Sequence, residues 1–329
     1  MGLIDSIERA ASRGTLPAKE EYTRLLERAI TALEHERAEA RPSDSTGLSG
    51  GLVRLDPAIP TMALPDLHGR FAFFQSVLMT PFEGYPTAVQ AAEEGALQIL
   101  CLGDGFHSER RGKRRWIAAF DEYAGRFRRR EAMDAEMNEN LTLMEMVMEC
   151  KCALRERFHF LKGNHENIAN EEGNGNHAFR KFSLEGEMVK EYVRAFYGED
   201  FLELYALFEK RLPLIAIGVN FIASHAEPER EYTEEELVEA RNLPEVTLGL
   251  TWTGNGESED GTVGRMLSRY LGSAEGMAYI AGHRPVPDAY LLRADGLFVQ
   301  IHNPEREQVA VLRPDRPFFP ETDIMNFPS

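Results

Sequence analysis

The sequence predicts an α/β fold in which short buried strands alternate with longer helices. Five brief apolar runs each stop at a polar cluster, and the stretches between them carry helical periodicity. Residue types that bind metals stand just past the last apolar residue of each run.

Residues 1–40 are expected to be helical, because Leu25, Leu26, Ile30 and Leu33 recur at helical spacing with Glu and Arg on the other faces. Residues 41–52 are rich in Gly, Ser and Pro and read as a linker. They divide the chain into an N-terminal helical extension, 1–52, and a main domain, 53–329. The strand candidates follow: Pro60–Leu64 before Asp66, Leu97–Leu102 before Gly103-Asp104, and Phe158–Leu161 before Gly163-Asn164-His165. Val219–Ser224 precedes His225, and Ala278–Ala281 precedes Gly282-His283. Their length and composition suit buried strands, and ligands of layered α/β folds bind beyond the carboxyl ends of strands. The five clusters are therefore expected at one sheet edge.

Between the strands, residues 111–156 form a helical insertion in which Met133, Met137, Leu141, Met144 and Met148 make a packing stripe. Residues 185–210 read as one helix or two. Leu297–Ile301 and Gln308–Leu312 read as closing strands, joined as a hairpin around Asn303-Pro304. The tail from Arg313, with Pro314, Pro317 and Pro320, is expected to be extended and irregular.

Composition narrows the function. The chain has 329 residues, 43% of them hydrophobic and 28% charged, in the range of globular enzymes. A net charge of −17 argues against nucleic acid and against an anionic membrane surface as partners. It permits an anionic substrate where metals make the pocket locally positive. Cys101, Cys150 and Cys152 form neither a disulfide framework nor a zinc pair, so the cytoplasm is the expected compartment. Neither a signal peptide nor an apolar run of the ~18 residues needed to cross a bilayer is evident.

Singly, the polar clusters are weak signals. Asp-x-His-Gly and Gly-Asp are ordinary turns, and lone histidines are more often structural than ligating. Gly163-Asn164-His165-Glu166 is more specific, since an amide oxygen and an imidazole follow a strand together. Together the clusters supply a complete dinuclear site of oxygen and nitrogen donors, suited to Mn, with Fe or Zn as alternatives. Asp66 and His68 are assigned to a first metal, and Asp104 is assigned as the bridge. Asn164, His225 and His283 are assigned to a second metal.

The order Asp66-Leu67-His68-Gly69, Gly103-Asp104, Gly163-Asn164-His165-Glu166, His225, Gly282-His283 resembles the calcineurin-like metallophosphoesterases. The likeness is closest to the phosphoprotein phosphatase branch, the serine/threonine phosphatases and their bacterial relatives, and spans about residues 58–312. It implies a four-layer β-sandwich of two mixed sheets flanked by helices, with the metals at one edge. It also implies hydrolysis of phosphate monoesters by hydroxide bridging two divalent metals, with a phosphorylated protein or a small phosphoester as substrate. The acid for the leaving group is then His165, with Asp104 beside it in the reaction centre. The alternatives are a nucleotide or dinucleoside-polyphosphate hydrolase with the same site, and a metal-binding regulatory protein with reduced activity.

The second motif departs from the family. His107 replaces an Asp that pairs with the acid, and Ser108 replaces a phosphate-binding Arg. Pro65 stands where a Gly usually precedes the first Asp. Glu109 is the carboxylate offered in place of the missing Asp. Arg284 and then Arg265 are the candidate replacements for the Arg, with Asn164 also contacting substrate. Arg110 and Arg111 read as a solvated cluster.

Overall fold

The computed structural model describes residues 2–327, so Met1 and residues 328–329, the ends of the two expected segments, lie outside the described residues. Within the described part, eleven strands make two sheets. They are β1 (Leu52–Arg54), β2 (Thr61–Leu64), β3 (Gln98–Cys101), β4 (Phe158–Phe160), β5 (Ile215–Ile217) and β6 (Phe221–Ser224). Then come β7 (Ala278–Ala281), β8 (Leu291–Arg293), β9 (Phe298–Gln300), β10 (Gln308–Leu312) and β11 (Ile324–Asn326). One sheet has the order β11-β10-β2-β3-β4, with β2, β3 and β4 parallel. The other has the order β1-β5-β6-β7-β9-β8, with β6, β7 and β9 parallel.

The expected strands alternate between two buried faces rather than between core and water. Ala63, Leu100, Leu102, Ala223, Ile280 and Val299 point between the sheets. Their neighbours Met62, Leu64, Ile99 and Cys101 point outward to one helical layer, and Tyr279 and Ala281 to another. Continuous apolar runs are what sheets covered on both sides require. The result is the expected four-layer sandwich of two mixed sheets flanked by helices.

The region 1–40 is two helices, α1 (Leu3–Ser12) and α2 (Lys19–Glu34). Gly14, at φ 66°, and Pro17 interrupt the helical path between them. Both helices share a hydrophobic cluster with Met62, Phe73 and the Met stripe. Helix α3 (Phe71–Leu78) follows β2, and the short α4 (Ala88–Glu93) precedes β3. The insertion is α5 (Lys113–Ala124) and α6 (Glu131–Leu154), and the stripe Met133, Met137, Leu141, Met144, Met148 is fully buried as expected. Residues 185–211 are α7 (Glu185–Phe196) and α8 (Glu199–Arg211), separated by Gly198 at φ 93°. Helices α9 (Glu234–Val238), α10 (Pro244–Thr251) and α11 (Thr262–Leu271) cover the other sheet.

Two expectations fail. β9 and β10 are not a hairpin: β9 lies in one sheet and β10 in the other. The segment between them crosses the sandwich edge, and Pro304 lacks the N–H a hairpin ladder would use. The tail is not irregular either, because after a short helix α12 (Pro320–Asp323) it adds β11 to β10 as an edge strand. Pro314, Pro317 and Pro320 precede that strand, so none removes a ladder donor from it. None of the described helices is long and apolar enough to cross a membrane.

Candidate metal centre

Each assigned residue leaves the carboxyl end of a parallel strand. Asp66 and His68 follow β2, Asp104 follows β3, and Asn164 follows β4. His225 and His283 follow β6 and β7 of the other sheet. Such sharp exits need left-handed backbone, and His68 (φ 45°), Asp104 (φ 51°) and His283 (φ 64°) all adopt it. Such backbone costs a non-glycine residue about 1–3 kcal/mol.

The six assigned donors converge. Asp104 Oδ2 lies 3.6 Å from His68 Nε2 and 3.5 Å from His225 Nε2, between the two proposed metal positions. Asp66 Oδ2 is 4.0 Å from His68 Nε2, while its Oδ1 is 3.9 Å from His225 Nδ1. Asn164 Oδ1 is 2.9 Å from His225 Nε2 and 3.1 Å from His283 Nδ1. Two overlapping groups, Asp66/Asp104/His225 and Asp66/His68/His302, each hold ligand atoms within 4.8 Å of one another.

The glycines of the motifs are explained by the carboxylates. A Cβ on Gly282 would overlap Asp66 Oδ1, and one on Gly163 would overlap Asp104 Oδ1. The backbone must pass that close because it orients the ligands. The His283 N–H donates to Asp66 Oδ2 at 2.9 Å, and the His165 N–H donates to Asp104 Oδ1 at 2.9 Å. Glu166 is a clamp rather than a ligand: its buried carboxylate accepts from the N–H groups of Gly163 (2.6 Å), Asp104 (2.9 Å) and Gly105 (2.7 Å). His68 and His225 are aimed by backbone carbonyls, their Nδ1 atoms lying 3.1 Å from Phe106 O and 2.9 Å from Leu102 O. A carbonyl behind a histidine fixes the tautomer of a ligating ring.

The electrostatics suit a cation. Burial raises Asp66 to about 6 and pushes Asp104 well above the carboxylate range, with the charge of Asp66 adding to the latter. Burial lowers His68 and His283 to about 3 and holds His225 and His165 well below the ordinary imidazole value. The rings are therefore neutral, the form that binds metal. Buried ring nitrogens of His283 (Nε2), His165 (Nδ1) and His302 (both) have no hydrogen-bond partner among the described residues. Buried carboxylates beside neutral, unpartnered imidazoles fit divalent metal ions.

The second motif is reorganised. The His107 ring stacks on Trp116 at 4.8 Å and sits 5.2 Å from the His165 ring, with Glu185 Oε1 3.8 Å from its Nε2. Ser108 is tied to α6, its N–H and Oγ donating to Glu136 at 2.8 and 2.6 Å. Glu109 does not take the place of the missing Asp beside His165; it faces His68 and His302. Arg284 is exposed beside His283, whereas Arg265 lies on α11 with its guanidinium on Glu231 and Glu259. Arg110 is exposed, and Arg111 pairs with Glu139.

His302 escaped sequence reasoning, although the signal was present. Phe298–Ile301 is a sixth apolar run ending at a metal-type residue. The hairpin expected there concealed it.

No protein-family model matches the chain, and no curated protein matches it. Among solved structures, a serine/threonine phosphatase from Saccharomyces cerevisiae is similar over 100% of this chain and 96% of its own, with a TM-score of 0.61 and 12% identity. Cold-active protein tyrosine phosphatases, one of them from a Shewanella species, overlap 84% of this chain with TM-scores of 0.48 and 0.46 and identities of 12% and 11%. The first of these likenesses shows that the chain shares the fold of that phosphatase.

Proposed function

We propose that the chain is a metal-dependent phosphoesterase that hydrolyses phosphate monoesters, phosphoserine or phosphothreonine of proteins among them. One observation carries the reading: six donors from five separated motifs meet around Asp104 Oδ2, which lies within 3.6 Å of a histidine on either side. When bound, two divalent cations such as Mn²⁺ would supply an acidified water and neutralise the charge of a phosphate.

The chain's own groups do the rest. Asp66 and Asp104 are held by the backbone N–H groups of His283 and His165, so the donors keep their places as charge moves. Asn164 turns its oxygen to His225 and His283, which fixes the orientation of its amide. His165 is the group that protonates the leaving oxygen. Its ring is neutral through burial and then through His68 and His107, so it takes up a proton only as a phosphate dianion approaches. Exposed Arg284, next to His283 in the chain, is the cation assigned to the phosphate oxygens.

The test is hydrolysis of a generic aryl phosphate by protein stripped of metal and then given Mn²⁺. Activity is expected only after addition. Two bound metals without turnover would overturn the enzyme reading in favour of a regulatory metal protein, which Ser108 in place of the Arg favours. His165→Asn is expected to keep both metals and to slow poor leaving groups by ~10²–10⁴. Phosphopeptides assayed against dinucleoside polyphosphates then decide the substrate class.

A further inference from the structure

We infer that Glu109 and His302 are additional donors to the first metal, so that the two metal positions are held unequally. The inference rests on the dinuclear reading above and adds residues that neither the motif order nor the family resemblance supplies.

The geometry around Asp66 and His68 points to it. His302 Nδ1 is 3.6 Å from Asp66 Oδ2, and His302 Nε2 is 3.3 Å from Glu109 Oε2. The same Glu109 oxygen is 3.6 Å from His68 Nε2. All three contacts exceed the ~2.7–3.2 Å of a hydrogen bond. Donors sharing one ion at about 2.1 Å stand roughly 3.0–3.5 Å apart when adjacent and about 4 Å apart when opposite. A ring offers one nitrogen to an ion, and Nε2 is the His302 atom placed for it: Glu109 Oε2 lies 3.3 Å from it and 3.6 Å from His68 Nε2, while Nδ1 faces Asp66. His302 is wholly buried, and neither ring nitrogen has a hydrogen-bond partner among the described residues.

Glu109 is aimed by its surroundings. Its backbone is left-handed, at φ 51°, and so is that of His107, at φ 77°. Its N–H donates to His107 Nδ1 at 3.0 Å, and Lys181 Nζ holds its other oxygen, Oε1, at 2.5 Å. That leaves Oε2 directed between His68 and His302. Lys181 balances the added carboxylate, so the charge presented to a phosphate changes little. The first position then has five protein donors: Asp66, His68, Asp104, Glu109 and His302. The second keeps four: Asp104, Asn164, His225 and His283. More donors and a further carboxylate bind a hard cation more tightly.

Mn²⁺ binding to the full chain, followed by calorimetry and by counting metal after dialysis, tests this. Wild type is expected to bind two ions in resolved steps. Glu109→Gln and His302→Asn should each weaken the tighter step by at least about tenfold and leave the weaker one. Thermal melting without metal checks that both variants are folded, and the isosteric Gln and Asn keep the volumes filled. If both variants bind two ions with unchanged affinities, the inference is overturned while the dinuclear reading stands. If wild type binds no metal at all, both fall.

Discussion

The molecule buries charge in two places, and the two are built on opposite principles. At the strand ends, Asp66, Asp104, His68, His225, His283 and His302 face one another, with His283 Nε2 and both His302 nitrogens unpartnered among the described residues and the carboxylates pushed up by burial. Beneath α2, Glu36, Arg41, Lys151 and His159 are just as buried but answer one another. Arg41 donates to Glu36 Oε2 at 2.7 Å and to the carbonyls of Gly50 and Arg211, both at 2.6 Å. Lys151 reaches the other oxygen of Glu36 and donates to the carbonyls of Arg155 (3.0 Å) and Phe158 (3.1 Å). In the second cluster Arg41 and Lys151 find their partners within the fold, and the unbonded His159 Nδ1 lies 3.5 Å from Glu36; the first leaves His283 Nε2 and both nitrogens of His302 without partners among the described residues. Burial alone marks neither as functional, whereas the count of unanswered donors and acceptors does.

That contrast predicts opposite responses to losing a carboxylate. Glu36→Ala leaves Lys151 and Arg41 buried and uncompensated, and is expected to destabilise the protein by ~3–5 kcal/mol in urea unfolding. Burial pushes Lys151 down even with its partner present, so the intact pair contributes less than that loss suggests. An effect near zero would make the cluster incidental to the docking of α2.

Acid separates the clusters next. Burial alone would raise Glu36, but Lys151, His159 and Arg41 bring it down to about 2. Its contribution is therefore fully present above its ordinary value near 4.5 and is lost as pH falls towards 2. Burial and then Lys151 lower His159 to about 3, so the unfolded chain gains a proton below its ordinary 6.5 that the folded one refuses until about 3. Both effects remove stability on acidification. Asp66, raised to about 6, has the opposite sign: it favours the fold at low pH and costs stability as pH rises from about 3.8 through 6. The stability difference between wild type and Glu36→Gln should shrink between pH 4.5 and pH 2. A difference that is constant with pH would break the argument.

The smallest expected effect sharpens the comparison most. Asp104→Asn keeps an oxygen for the His165 N–H but removes a carboxylate whose ionisation burial and Asp66 make costly. The metal-free protein should melt slightly higher, by about 1 kcal/mol in stability, while hydrolysis is lost. A lower midpoint would mean that the carboxylates are already well accommodated without metal.

Much of the centre was legible in the chain because each motif sits next to its strand. Asp66, Asp104, Asn164, His225 and His283 are fixed by the apolar runs before them, and a strand's end needs no distant partner to be seen. That Glu109 and His302 lie beside His68 was not legible. Glu109 follows a loop whose aim depends on Glu136 of α6 and Lys181, and His302 follows a strand that looked like half of a hairpin. The N-terminal helices were visible by their periodicity. That residues 41–52 hold a fully buried arginine between the carbonyls of Gly50 and Arg211 was not.

By itself the sequence determined the central strands, their buried character and the six polar residues that meet at their ends, because these follow from local patterns of apolar and polar residues. Only the tertiary structure decided which sheet received β9 and β10, and so where His302 came to lie. Only it turned Glu109 towards His68 rather than His165. Sheet membership and the aim of a loop are set by packing between segments far apart in the chain, and no local pattern encodes them.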